Sequence, residues 1–291
     1  MKLIKPGFEI LNQQPDLEGV LKHIELCGRT AYKSEDQITI DSAPKFVEML
    51  TKRGHGAVLE HGTIYLIIPK DSEENIAIDN HFLGRNPYTV SKLYIFAKNK
   101  TLEVAYITTN YRVLVEGNAL NLLKFQCDPT EYHDKRITVK FVCDRGVSHE
   151  FVRHRVFSFV QESTRYCNYS KEKFRNELTF IEPLWLKDIK EKYQELPPET
   201  LISPERIDSA GNYLWQLELA EETYFELLNK GWTPQQARAV LPNSLKTELI
   251  MTGTVNQWRD FFKLRCASDA HPQARELIIP LEKEFKILKL I

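Results

Sequence analysis

Apolar residues recur at helical spacing from Ser42-Ala43-Pro44 through KFVEMLTKRG: Phe46, Val47 and Leu50 share one face, and Gly54 stands where such a helix stops. β-Branched and aromatic residues then crowd GTIYLIIPK, which predicts a strand starting just after Glu60-His61. From about 71 to 135 the pattern is mixed. YTVSKLYIFAKN and TLEVAYITTNYRVLV read as two strands joined across Asn99-Lys100, ALNLLKF reads as a short helix, and the stretch is expected to elaborate the main sheet. ITVKFVC alternates as a strand should, and Asp144 offers a carboxylate cap to a helix through Val147, Phe151 and Val152 that runs into Arg153-His154-Arg155. A charged, proline-interrupted connection around 195–204 precedes NYLWQLELAEETYFELLNKG, the longest amphipathic helix of the pattern, which Gly231 ends. Thr233-Pro234 puts proline at the first helical position of a short helix through Arg238, and Pro242 stops it. A strand LKTELIMTGT and a helix NQWRDFFKLRCA follow.

The 291 residues, 42% hydrophobic and 27% charged, allow one large domain or two small ones with a substantial core. Lys and Arg number 39 against 40 Asp and Glu, for a net charge of −1, so no global positive field exists to hold a nucleic-acid backbone or an anionic membrane. Any anion site must be local. Cys27, Cys127, Cys143, Cys167 and Cys266 are odd in number and never in C-x-x-C spacing, which suits reduced thiols. The start MKLIKPGFEI has no long apolar run and no stretch approaches a membrane span, so a cytoplasmic protein is expected.

The densest polar constellation runs from Arg153 to Arg165: three guanidinium groups and two serine hydroxyls within thirteen residues. Arginines make charge-assisted, often bidentate bonds to phosphate oxygens, and hydroxyls complete the coordination, so this is a candidate anion cradle. A solvated basic helix end paired with nearby carboxylates explains the same composition. Val156, Phe157, Phe159 and Val160 tip the reading toward partly buried arginines that need partners.

Arg153-His154-Arg155, then seven residues, Ser163, and Arg165 two further on resemble the signature of the flavin-dependent thymidylate synthases. Gly54-His55-Gly56 to Leu59-Glu60-His61 resembles the family's amino-terminal segment, and Gln236-Ala237-Arg238-Ala239-Val240-Leu241-Pro242 its arginine-bearing segment. Thr252-Gly253-Thr254 with the helix ending Lys263-Leu264-Arg265 resembles its carboxy-terminal element. The resemblance implies a fold that is α/β in the α+β sense, a mostly antiparallel sheet flanked by helices in a single domain over 1–291, with variable stretches at about 70–138 and 170–225. It implies reductive methylation of deoxyuridylate (dUMP) to thymidylate (dTMP), with methylenetetrahydrofolate as carbon donor and FAD, reduced by NADPH, as hydride carrier. It also implies a homotetramer whose sites are shared between subunits.

By the same resemblance His61, Thr63, Arg153, His154, Arg155, Thr254, Asn256 and Asp260 line the flavin. Glu150, Arg153, Gln161, Ser163, Arg165, Arg238 and Arg265 hold the nucleotide, and Ser163 and Arg265 take part in the chemistry. A fixed cation at Arg265 suits the negative charge that develops on a pyrimidine ring made nucleophilic at C5. Asparagine is common in the family where Thr254 and Asp260 stand here, and Ala31 replaces a frequent serine.

No G-x-G-x-x-G turn follows a strand, so a Rossmann site is not indicated. No H-E-x-x-H or Cys/His spacing sets a metal geometry among His55, His61, His149 and His154, and no metal is expected. Cys167 reads as a structural thiol, with a thiolate nucleophile as the rival. Tyr213, Trp215 and Phe225 on the long helix read as core or subunit interface. Two other functions remain: an FAD-dependent NADPH oxidase that does not act on dUMP, and a nucleotide- or RNA-binding module that sets Arg153, Arg155 and Arg165 on phosphates.

Overall fold

Alternation along Arg136–Asp144 organises the molecule, because its odd and even residues bury against two different sets of helices. The computed structural model describes residues 1–69, 72, 86–95, 103–186 and 208–291. The strands are β1 (Lys2–Ile4), β2 (Gly7–Leu11), β3 (Thr63–Pro69), β4 (Val90–Ile95), β5 (Glu103–Asn110), β6 (Arg136–Asp144), β7 (Ser158–Gln161), β8 (Thr179–Ile181) and β9 (Lys246–Thr254). The helices are α1 (Leu17–Tyr32), α2 (Ser42–Lys52), α3 (Gly56–Leu59), α4 (Tyr111–Glu116), α5 (Arg145–Phe151), α6 (Ser209–Asn229), α7 (Pro234–Ala237), α8 (Val255–Arg265) and α9 (Pro272–Ile287).

The main sheet has the order β2-β6-β9-β7, with every neighbour antiparallel. On one face Ile137, Val139, Phe141, Leu249 and Met251 pack with Trp258, Phe261 and Phe285 of α8 and α9. On the other, Val160 and Ile250 join Val20 and Ile24 of α1. Burying each of these aliphatic side chains stabilises the fold by about 1.5–3 kcal/mol. β1 and β8 form a small parallel pair beside a third core built on Leu214, Leu217 and Tyr224 of α6. Mixed α/β architecture with mainly antiparallel sheet is therefore what the chain forms.

Several local readings hold in detail. Asp144 accepts from the Val147 amide at 2.6 Å and starts α5. Gly54 and Gly231 adopt φ of 70° and 90° just past α2 and α6, a backbone region that L side chains avoid. Thr233 and Gln236 form a reciprocal capping box with Pro234 in the first turn of α7. ALNLLKF forms a 3-10 helix over Leu120–Phe125.

Other readings are corrected. YRVLV does not continue β5: the Asn110 side chain accepts from the Val113 amide and turns the chain into α4. β3, β5 and β4 do not elaborate the main sheet but form their own, in the order β3-β5-β4, because Ile64, Leu66, Ile68 and Ile107 bury against α1, α2 and α4. The expected junction at Asn99-Lys100 and the connection around 195–204 lie outside the described residues. α1 and α9, and the strands β1, β2, β7 and β8, were not expected from the pattern. α9 holds Pro280 in its interior, a residue that normally ends a helix, yet Leu277, Ile278, Leu281 and Phe285 still present one buried face.

Candidate functional site

Arg265, in the last turn of α8, is the best-anchored of the expected site residues. Its Nη1 donates to Glu150 Oε2 at 2.7 Å, its Nη2 to the Glu150 carbonyl oxygen and its Nε to His154 Nε2 at 2.8 Å. α5 and the turn after it thus bring Glu150 and His154 to an arginine more than a hundred residues away. Burial, with Arg265 and Arg153 adding to it, lowers the His154 pKa to about 4, so at neutral pH the ring is uncharged. Since Nε2 accepts from Arg265, its single proton sits on Nδ1. Hydrogen bonding to Arg265 holds the Glu150 carboxyl below its usual range. The guanidinium keeps one N–H on each of Nη1 and Nη2 beyond these contacts.

Arg153 and Arg155 lie on the turn between α5 and β7, both exposed. Arg153 reaches Glu150 only at 3.4 Å. The expected partial burial of these arginines is not seen: Phe157 and Val160 turn into the core while Val156 is 57% exposed and the guanidinium groups face outward. β7 then carries the chain to a second group. Gln161 donates to Ser148 at 2.9 Å and Thr247 at 3.1 Å, and the Ser163 hydroxyl accepts from the Arg165 amide at 3.3 Å. The 163–165 turn faces α7 and the turn after it, where Arg165 donates to Gln235 and Arg238 to Thr164. Arg165 and Arg238 are otherwise exposed.

The remaining expected residues separate into buried and exposed sets. His61 is fully buried, with Nδ1 2.7 Å from Thr252 Oγ1 and Nε2 without a hydrogen-bond partner among the described residues. Burial first, then His23 and Arg136, push its pKa well down. The Thr63 hydroxyl accepts from Arg136. Thr254 caps α8 by accepting from the Gln257 amide. Asn256 is exposed and accepts from Arg259, and Asp260 is exposed. Among the described residues, no hydrogen bond joins the Arg265 group, the Ser163 group and His61 to one another.

Arg136, which heads β6, was missed in the sequence. Its Nη1 donates to the Glu60 carbonyl and to Thr63, and its Nη2 to Ser158 at 3.1 Å. None of these acceptors is a carboxylate, and burial brings its pKa down to about 10. It helps line a cavity of about 240 Å³ between Thr63 and Val255 at the start of α8. Lys135, Arg136 and Lys289 give that cavity three cations; Tyr65, Ile137 and Leu290 give it apolar wall, and no carboxylate lines it among the described residues. The one signal for Arg136 was the Lys135-Arg136 pair at the head of an alternating strand.

Cys167 is buried, 4.0 Å from the Ala31 carbonyl, and burial pushes its thiol up to about 12. Tyr213 and Phe225 pack against the core of α6 around Tyr224, and Trp215 is half-buried.

A family model described as thymidylate synthase complementing protein matches residues 131–288, which include β6, the Arg153–Arg165 segment, α7, β9 and α8. Among similar curated proteins named flavin-dependent thymidylate synthase, that of Pyrococcus furiosus is 31% identical over 137 residues, 46% of this chain and 48% of its own length. That of Synechocystis sp. is 27% identical over 150 residues, 51% and 65% of the two chains. That of Mycolicibacterium gilvum is 32% identical over 135 residues, 46% and 51%. The chain spans about half the length of the curated relatives it matches.

Proposed function

Because the chain belongs to the thymidylate synthase complementing protein family, that of the flavin-dependent thymidylate synthases, we propose that it converts dUMP to dTMP by reductive methylation. Methylenetetrahydrofolate is the proposed carbon donor and NADPH the reductant. The reading rests on one observation above the others: Glu150 and His154, each more than a hundred residues from Arg265, converge on its guanidinium and fix it.

The cavity between Thr63 and Val255, with apolar walls and three cations and no acid among the described residues, is proposed to take one part of an FAD. Thr63 and the Thr254–Asn256 turn flank it, and Arg153, His154 and Arg155 lie on the turn proposed to complete the flavin site. When bound, the flavin supplies hydride. Every other task falls to the chain. Ser163, Arg165 and Arg238 surround a turn open to solvent and are proposed to take the nucleotide phosphate through charge-assisted bonds. Gln161 is oriented by Ser148 and Thr247 to face the nucleotide. Arg265 is proposed to place its two uncommitted N–H groups on the pyrimidine, where they stabilise negative charge on the ring as C5 becomes nucleophilic. Glu150 and neutral His154 hold that guanidinium in place, which spares reorganisation during reaction. Cys167, as a buried thiol whose pKa burial raises, stays protonated at pH 7, which argues against covalent activation by sulfur.

Arg155, Arg165 and Arg238, exposed and without a carboxylate partner among the described residues, support a site completed by ligand and by a second copy of the chain, as in the proposed homotetramer. One domain with variable stretches at about 70–138 and 170–225 is part of the same proposal. The test is anaerobic reduction of the FAD-loaded protein by NADPH, then addition of dUMP and the folate. Thymidylate is the expected product; flavin reoxidation by oxygen with no response to dUMP would instead support an oxidase.

A further inference from the structure

Between the loop that follows the Ser163 turn and the starts of β1 and β9 lies a second cationic cavity, of about 220 Å³, that no step of the proposed reaction uses. Five cations line it: Lys2 of β1, Lys33 just past α1, Lys173 and Arg175 of the loop, and Lys246 of β9. Two carboxylates face them, Glu162 and Glu177. Ser163, Arg165 and Arg238 take no part in its walls.

The inner wall is an ion network whose lining acceptor is already engaged. Glu162 accepts from the Tyr169 hydroxyl at 2.9 Å on one oxygen and from Lys246 at 2.8 Å on the other. Lys246 also donates to Glu248 at 2.6 Å, and Lys33 is shared between Glu35 at 2.9 Å and Glu248 at 2.8 Å. An ammonium group has three N–H bonds, so Lys33 and Lys246 each keep one beyond these contacts. The rim carries the surplus charge. Lys173 donates to the Lys33 carbonyl and keeps two N–H groups, while the side chains of Lys2 and Arg175 have no hydrogen bond or ion pair among the described residues. Against these three cations the rim sets Glu177 alone, an excess of two positive charges.

Two of the cations sit on backbone that few non-glycine residues adopt: φ is 50° at Lys33 and 58° at Arg175. Glycine or asparagine fits such a position with less strain, yet both positions carry long cationic side chains that reach the same cavity. Ammonium groups act as point charges that approach an oxyanion from several sides, and a guanidinium adds a two-pronged bond. A tetrahedral phosphate meets that combination better than a planar carboxylate does.

We propose that this cavity is a second phosphate site, separate from the Ser163 turn, in which Lys2, Lys173 and Arg175 hold a doubly charged phosphate group against the spare N–H groups of Lys33 and Lys246. The group arrives as a free oxyanion or as the phosphate end of a nucleotide. The assignment goes beyond the thymidylate synthase reading and does not depend on it.

The test is calorimetric titration of pyrophosphate, at low ionic strength, into the full-length, ligand-free Arg165→Ala/Arg238→Ala protein, which takes the nucleotide turn out of the measurement. One saturable site is expected. Adding Lys173→Ala and Arg175→Ala, both at exposed positions, is expected to weaken it more than tenfold, as befits the loss of two charged hydrogen bonds. Adding Lys135→Ala and Lys289→Ala instead strips the cavity beside Thr63 and is expected to leave the affinity within twofold. No binding at millimolar pyrophosphate, an affinity that survives the loss of Lys173 and Arg175, or one that is lost with Lys135 and Lys289 overturns the proposal. ATP in the same titration separates the two sources: tighter binding than pyrophosphate, weakened by the same Lys173 and Arg175 substitutions, assigns the site to a nucleotide, and binding no tighter assigns it to the free oxyanion. Turnover of dUMP enters none of these readings, so failure of the functional assignment leaves the test intact.

Discussion

Acid should destabilise this protein well above the pH at which carboxylates titrate, and His23 allows the effect to be measured. Its ring is 4% exposed, and burial, assisted by Arg136, lowers its pKa from 6.5 to about 4. The folded state therefore binds fewer protons than the unfolded chain between pH 6.5 and pH 4, so stability falls as pH drops through that window and levels below it. From pH 7 to pH 5 one such histidine costs about 2 kcal/mol, and His61, shifted in the same direction for the same reason, adds to the loss. Glu248, held down at about 2 by Lys246 and Lys33, titrates near 4.5 in the unfolded chain, so its contribution is lost mainly below pH 5, outside the pH 7 to pH 5 comparison. His23→Gln removes one titrating ring and keeps a donor for Thr138. Urea unfolding followed by tryptophan fluorescence, with Trp258 fully buried as reporter, is expected to show the variant losing about 2 kcal/mol less than wild type between pH 7 and pH 5. A lower starting stability in the variant is compatible with this; an equal pH-dependent loss in the two proteins would refute it.

Arg165→Ala is expected to weaken dUMP binding by roughly 10–100-fold, the worth of about 1.5–3 kcal/mol in a charged hydrogen bond, with FAD affinity kept in a parallel titration. Arg265→Ala should lower the single-turnover rate about 10²-fold, because a cation acting on developing charge is lost, and wild-type rates would remove it from the chemistry. Glu150→Gln keeps an acceptor for Arg265 while removing the charge, and a smaller rate loss than in Arg265→Ala is expected from the same measurement. Cys167→Ser should keep substantial turnover, since the buried thiol is not an available nucleophile; complete loss in a folded variant would reopen a sulfur mechanism.

Much of the local structure around the candidate site was legible because its signals are short. Asp144 ahead of Val147, the Thr233-Pro234 start and the apolar spacing of α8 each operate within one turn of helix, and the Arg-His-Arg segment is contiguous. The burial expected for its arginines was not legible: Phe157 and Val160 do turn inward, but adjacent residues along an irregular turn face in different directions, so apolar neighbours say little about an arginine's own exposure. Helix α1 was missed although Val20, Ile24 and Cys27 are spaced for one face. With it went His23, whose buried ring meets a threonine 115 residues away.

The sequence alone thus determined the local elements and the chemical inventory: guanidinium groups, hydroxyls and a family signature, in order. Only the tertiary structure decided their partners. Thr138 meets Thr252 through strand register, Arg265 meets Glu150 through the packing of α8 and α5 on one sheet face, and β3–β5 stand apart from the main sheet because their buried rows need a core of their own. Local propensity acts over a few residues, whereas these pairings join positions 114 and 115 apart, where collective burial and backbone hydrogen bonding decide which of many compatible arrangements forms.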